Sequence, residues 1–206
     1  MAIELKKGGD THRIDLSKRS GSNMNGEIVI NLNWSSGNGG GVDLDLGCFY
    51  EMRDGSKMLI DGIQFSRGRG GNRDQLTRQG CYTNAPYIWH NGDDRDGSVQ
   101  AGENISINPA GVNEIKRIIV YTFIFDGAAR WNETDAVVKV AVPGAETVEV
   151  KMGQQTSDKK FCAIAELDFN GDNSITVKKL VTFHKGHEDC DRVYNWGFNY
   201  RPGSKD

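Results

Sequence analysis

The chain has 206 residues, 37% of them hydrophobic, and its 26 glycines stand against 4 prolines. That length suits one large sandwich or barrel better than two domains. A glycine-rich, proline-poor composition favours many tight turns over long helices, because glycine supplies the positive φ angles that turns need. With a formal net charge of -3, there is no global field to draw the chain onto nucleic acid or an anionic membrane.

In chain order, Met1-Ala-Ile-Glu-Leu-Lys-Lys-Gly8 alternates apolar and polar residues, which reads as a first strand and not a secretory signal. No stretch approaches the roughly 20 apolar residues that cross a bilayer, so a cytoplasmic protein without a transmembrane segment is expected. Ile28, Ile30, Leu32 and Trp34 share one parity, as do Val42, Leu44, Leu46 and Cys48. The run Ile118-Ile-Val-Tyr-Thr-Phe-Ile-Phe125 is apolar on both faces and predicts a central strand covered on each side. Period-two patterning returns at Val138, Val140 and Val142, at Val148, Val150 and Met152, and at Ile175, Val177, Val181 and Phe183.

No segment sustains a helical stripe over three turns; short helical pieces are expected near 72–77 and 127–131. The expected architecture is all-β: a β-sandwich of two mainly antiparallel sheets with short helical pieces in loops, one domain spanning 1–206. Cys48, Cys81, Cys162 and Cys190 are scattered with no CxxC pair and are expected to be free thiols.

The sharpest local feature is Gly92-Asp93-Asp94-Arg95-Asp96-Gly97, followed by Gly102-Glu103-Asn104. Three crowded carboxylates repel one another unless something neutralises them. Hard divalent cations do so, because they take carboxylate and carbonyl oxygens and tolerate irregular loops. The alternative is a solvated turn in which Asp and Asn cap their own backbone; composition alone weighs the two evenly. In Val42-Asp43-Leu44-Asp45-Leu46, alternation sets Asp43 and Asp45 on one face and the leucines on the other. They become ligands if that strand end meets the loop.

Other signals fall away. Asp168-Phe-Asn170-Gly-Asp172 imitates an EF-hand loop, but Asn173 stands at the sixth position and Lys179 at the twelfth; a hairpin turn is expected instead. His184-Lys-Gly-His187-Glu-Asp-Cys190-Asp191 has zinc-binding residue types without the usual Cys pair and reads as a surface loop. Arg67, Arg69 and Arg73 among glycines form one exposed Arg-Gly loop, a weak signal for phosphate or RNA. Trp89, Trp131 and Trp196 read as core or rim aromatics. No nucleophile elbow, phosphate loop or H-E-x-x-H motif is present.

Taken together, Leu5-Lys-Lys-Gly8, Leu32-Asn-Trp34, Val42-Asp-Leu-Asp-Leu-Gly-Cys-Phe-Tyr-Glu-Met-Arg-Asp-Gly55 and Gly92-Asp-Asp-Arg-Asp-Gly97 resemble the tellurite-resistance TerD superfamily. Pro86-Tyr-Ile88, Gly102-Glu-Asn-Ile-Ser-Ile-Asn108 and Tyr194-Asn-Trp-Gly197 are similar to its TerA branch, and the likeness runs in order along nearly the whole chain. The resemblance implies a calcium-binding β-sandwich in bacterial stress responses, including resistance to tellurite, certain phages and colicins. It attaches no enzymatic activity, and it implies work with other Ter-family proteins in a complex near the inner membrane. Carried over, the strand acids fall on Asp43 and Asp45, the loop acids on Asp93 and Asp94, and the closing acid on Glu103. Asp96 replaces the family's usual Thr and adds a carboxylate. The acidic run before the closing Glu is reduced to Ser98-Val-Gln-Ala-Gly102, so one calcium site is expected and a second is left open.

Three readings follow. The leading one is a calcium-binding, non-enzymatic stress protein. The second is a scaffold whose Arg-Gly loop docks a partner, with metal incidental. The third is a metal-dependent, phosphate-handling enzyme using Asp93, Asp94 and Glu103, which needs an open coordination position and a base such as His90.

Overall fold

The computed structural model describes residues 2–16, 26–34, 42–64, 71–92, 102–125, 129–152 and 155–201. The strands run in order as β1 Ala2–Glu4, β2 Thr11–Asp15, β3 Ile28–Asn33, β4 Leu44–Met52, β5 Lys57–Asp61, β6 Gly80–Cys81 and β7 Ile88–His90. β8 Glu103–Ile107, β9 Ile115–Ile124, β10 Val137–Ala141, β11 Thr147–Lys151, β12 Phe161–Phe169 and β13 Ser174–His184 follow, then helix α1 His187–Tyr194. Among the described residues they form a seven-stranded sheet, ordered β1-β11-β10-β3-β8-β7-β6, and a six-stranded sheet, ordered β2-β13-β12-β9-β4-β5. β1 runs parallel to β11; the other strand pairings described are antiparallel.

The expected all-β sandwich is therefore what the chain forms, and the alternating strands explain its inner faces. Ile28, Ile30 and Leu32 of β3 are buried while the residues between them are half-exposed, and β10 and β11 repeat the pattern. These side chains meet Leu44, Leu46, Cys48, Ile118, Val120 and Leu167 of the second sheet in one shared core. No helix among the described residues is long and apolar enough to cross a membrane.

The second sheet is buried on both faces, as the run from Ile118 predicts. Phe49, Ile119, Tyr121, Phe123 and Phe161 point away from the shared core and form a separate cluster with Cys190 and Trp196. The cover is α1 with the chain that follows it. Here the sequence-based expectation is corrected: His184–Asp191 is not a surface loop, since His187 opens α1 and Cys190 and Asp191 are buried. A helix of eight residues is too short to display a three-turn stripe, and its burial comes from a sheet distant in sequence. Asp191 secures the cover by accepting from Gly197 N, Phe198 N and Tyr200 Oη at 2.8, 2.9 and 3.0 Å.

Two smaller expectations also change. Residues 72–77 form turns and not a helix, because the Asn72 side chain accepts from Asp74 N. Of the stretch 127–131, Gly127 and Ala128 lie outside the described residues; a 3-10 turn occupies Trp131–Glu133. The EF-hand imitation is a hairpin, with Phe169 paired to Ile175. All four cysteines are free and buried, and burial pushes the Cys48 thiol up to about 12. Trp89, Trp131 and Trp196 are core aromatics.

Lys179 occupies an inward position of β13 after Ile175 and Val177. Its ammonium is buried and donates to the carbonyls of Leu5, Lys6 and Lys151 at 3.1, 3.2 and 3.2 Å. One cation thus ties the segment after β1 to both sheets. Replacing it by Met removes these charge-assisted bonds, and Lys179→Met is expected to lower unfolding free energy by about 1.5–3 kcal/mol in urea titrations.

On the outer face, Glu51 accepts from Lys116 Nζ at 2.8 Å and Arg117 Nε at 2.7 Å, and the Arg117 guanidinium stacks 4.3 Å from the Trp196 ring centroid. Burial works against ionisation of Glu51, but the two cationic donors outweigh it and hold its carboxyl below the ordinary value of 4.5. A depressed folded-state value stabilises the fold above the unfolded value, and that contribution is lost as pH falls through the folded value. The stability gap between wild type and Glu51→Gln is therefore expected to be full above pH 4.5 and to close below it in acid-series denaturation.

Candidate metal centre

β5 ends at Asp61, paired with Gly47, whereas β4 continues to Leu44. Over Leu44–Leu46, β4 keeps β9 on one side and has outrun β5 on the other. Buried backbone groups left by a departing strand must find partners elsewhere. Leu46 N–H donates to Glu103 Oε2 at 2.7 Å, and the Leu46 carbonyl accepts from His90 Nε2 at 3.0 Å. Both partners come from the opposite sheet. Glu103 opens β8 and pairs with Leu32, a core residue, so its side chain also points inward and crosses the sandwich. His90 closes β7, and its Nδ1 accepts from Gly92 N at 3.1 Å. That bond leaves the proton on Nε2, where Leu46 receives it. His90 and Glu103 side chains are 0% and 1% exposed, with Nε2 and Oε2 3.8 Å apart.

Asp45 precedes Leu46 and turns away from the core that takes Leu44 and Leu46. It is fully buried. Gly62, just past β5, lies so close that a Cβ there would sit 2.8 Å from Asp45 Oδ1. Gly102 is similarly constrained: its φ is +61°, and a Cβ would fall 2.1 Å from the Leu32 carbonyl oxygen. Only glycine lets the chain enter β8 at that point. Asp43 is half-buried, and its carbonyl accepts from Phe125 N at 3.1 Å.

A second polar group lies on the outer face of the same sheet. Asp61 Oδ2 is 2.7 Å from Tyr121 Oη, which donates to it, and 2.6 Å from His187 Nε2. The Tyr121 ring lies over Gly47, where a Cβ would come within 2.3 Å. Burial first, and then the Asp61 carboxylate, push the Tyr121 phenol well above its usual value. His187 meets Phe161, Phe123 and Tyr121 edge-on at 4.7, 5.1 and 5.4 Å between ring centroids. This group clamps α1 to β5.

No protein-family model matches the chain. It is 35% identical over 192 residues, 87% of its length, to a tellurium resistance protein TerA from an Alcaligenes species. The chain belongs to the TerD/TerA tellurite-resistance family. It spans about half, 53%, of that TerA relative's length. Among solved structures, the protein of unknown function SAV2460 matches with a TM-score of 0.53 at 14% identity, covering 78% of this chain and 90% of the other; the likeness is one of fold. A homologue of telluride resistance protein (TerD), SCO6318 from Streptomyces coelicolor A3(2), has a TM-score of 0.49 at 15% identity over 80% of this chain and 94% of that one.

Of the acids that the TerD/TerA resemblance singles out, Asp43, Asp45 and Glu103 are described. Asp93, Asp94 and Asp96 lie outside the described residues. The Glu103 carboxylate accepts from the amide of Leu46, the residue after Asp45. Gly92 and Gly102, the residues flanking 93–101, are both at this place. Among the described residues, no group of three or more His, Cys, Asp or Glu side chains is arranged to hold a metal ion. Asp45 has a fully buried carboxylate with Gly62 packed against its Oδ1. Sequence reasoning missed the Asp61–Tyr121–His187 clamp, which joins β5, β9 and α1 across long sequence separations. Arg67 and Arg69 lie outside the described residues, while Arg73 pairs with Glu27 at 2.6 Å and stacks 3.8 Å over Tyr82.

Because a methyl group at position 62 would enter the space beside Asp45, Gly62→Ala is expected to cost about 1–3 kcal/mol by overpacking. Gly8→Ala, whose Cβ would meet only the Leu180 carbonyl oxygen at 3.5 Å, is expected to be near neutral in the same denaturant titration.

Proposed function

We propose that this chain is a calcium-binding, non-enzymatic protein of the bacterial stress response within the TerD/TerA family. The observation that carries the reading is Asp45: a carboxylate withdrawn completely from solvent at a strand end, with Gly62 drawn against its Oδ1. An all-oxygen donor set of carboxylates selects hard ions such as Ca2+. In this reading Asp45 is a central ligand. Asp93, Asp94 and Asp96 contribute from the segment between Gly92 and Gly102, with Asp43 and Glu103 at the margins. The reduced acidic run before Glu103 favours one site.

The non-catalytic part of the reading is supported by His90. A hydrolytic reaction here needs a base, and both ring nitrogens of His90 are taken up by the Leu46 carbonyl and the Gly92 amide. We further infer that residues 1–206 fold as one unit, since both sheets feed one core. A peripheral membrane complex and association with other Ter-family proteins rest on the family resemblance, and a cytoplasmic location and a scaffold role for the Arg-Gly loop rest on the sequence reading.

Calcium that binds only the native state stabilises it by about 2.7 kcal/mol at a free concentration 100 times Kd. For a chain of this size that corresponds to a rise in Tm of about 5–10 °C. The rise is expected with Ca2+, smaller with Mg2+, absent after chelation and absent in Asp45→Asn. An unchanged wild-type Tm across a calcium titration, or an equal rise in Asp45→Asn, overturns the reading.

A further inference from the structure

We propose that His184 is an acid-sensitive catch on the α1 cover: its neutral ring ends a hydrogen-bond chain that holds Tyr194 to the sheet, and protonation undoes that chain. α1 is fastened at both ends. Its first residue, His187, meets Asp61 Oδ2 at 2.6 Å. Its last, Tyr194, meets Thr182 of β13, the two hydroxyl oxygens lying 2.7 Å apart. Thr182 Oγ1 in turn lies 2.9 Å from His184 Nε2. His184 pairs with Phe161 across β13 and β12 and is buried. It meets the Phe161 and Tyr194 rings edge-on, with centroids 6.3 and 5.8 Å away.

The direction of the chain follows from its partners. His184 Nδ1 faces Asp189 Oδ2 at 3.9 Å; an ionised carboxylate only accepts, so the ring proton belongs on Nδ1 and Nε2 accepts. Thr182 then donates to Nε2, and Tyr194 donates to Thr182. A proton added at Nε2 makes that atom a donor, and the Thr182 proton must turn from it toward Tyr194. The Tyr194 proton thereby loses its acceptor. The added charge is also poorly placed. Among the described residues, the charged groups acting on the ring are Asp189 from α1 and Lys159 from the segment before β12. β12 itself presents the Phe161 ring, and Asp189 is shared with Arg192 at 3.6 Å. Burial lowers His184 below its ordinary value of 6.5, with Asp189 opposing and Lys159 adding to the shift. The closed cover thus binds fewer protons than the open one. Its hold is full above about pH 6.5 and weakens as pH falls toward the lowered value. Eight residues of helix do not hold themselves once an end is released, so α1 opens more often in mild acid and uncovers the aromatic face beneath it.

Amide exchange across α1 in the full chain, read as protection relative to intrinsic rates, tests the catch. Protection over residues 191–194 is expected to fall by up to about tenfold per pH unit below 6.5 in wild type. His184→Gln keeps a polar partner for Thr182 and takes up no proton, so its protection is expected to stay level over the same range. Should that variant fail to fold, the His184 imidazole of wild type, titrated by NMR, is expected to have its midpoint below 6.5. Level protection in wild type, an equal fall in His184→Gln, or a wild-type His184 midpoint at or above 6.5 overturns the proposal.

Discussion

The arrangement at Leu46 follows from one mismatch of strand lengths. β4 extends beyond β5 by the residues Leu44–Leu46, and a buried strand cannot leave its amide and carbonyl without partners. The opposite sheet supplies them as side chains, Glu103 for the N–H and His90 for the carbonyl. This is an expensive solution, since an acid and an imidazole must be enclosed in the sandwich, but it joins two sheets at one point by directional bonds. Hydrophobic contact between the sheets is not directional and would not set that register. The opening left by β5 also gives Asp45 its surroundings, because the chain turns at Gly62 immediately after the last β5 pairing.

The second sheet imposes a different requirement. Apolar residues on both faces of β9 demand two covers, and the first sheet provides only one. The other is α1 and the chain up to Tyr200, fastened by Asp191 to its own following residues and by His187 to Asp61. The Asp61 that anchors this cover directly precedes Gly62. The cover and Asp45 therefore meet neighbouring residues, Asp61 and Gly62, at the end of β5.

Within the TerD/TerA family frame, the candidate centre draws its character from enclosure. Asp45 lies wholly inside, with Gly62 packed against its carboxylate and the neighbouring Leu46 amide and carbonyl held by hydrogen bonds. The same enclosure leaves both nitrogens of His90 hydrogen-bonded to backbone.

The sequence by itself determined the strands and their faces. Alternation at Ile28–Leu32, at Val138–Val142 and at Val148–Met152 needs only local side-chain direction, and the two-sided run from Ile118 marks a covered strand. It also set Asp43 and Asp45 opposite the leucines and singled out Glu103. It could not reveal that His187–Tyr194 is a helix over aromatic residues, because eight residues carry too little periodicity and the covering contact is made by Phe49, Tyr121 and Phe161, far away in the chain. Nor could it pair Asp61 with His187 or give His90 its two partners. Such bonds depend on where one strand stops beside another, which is decided by the packing of whole sheets and not by any residue's neighbours in sequence.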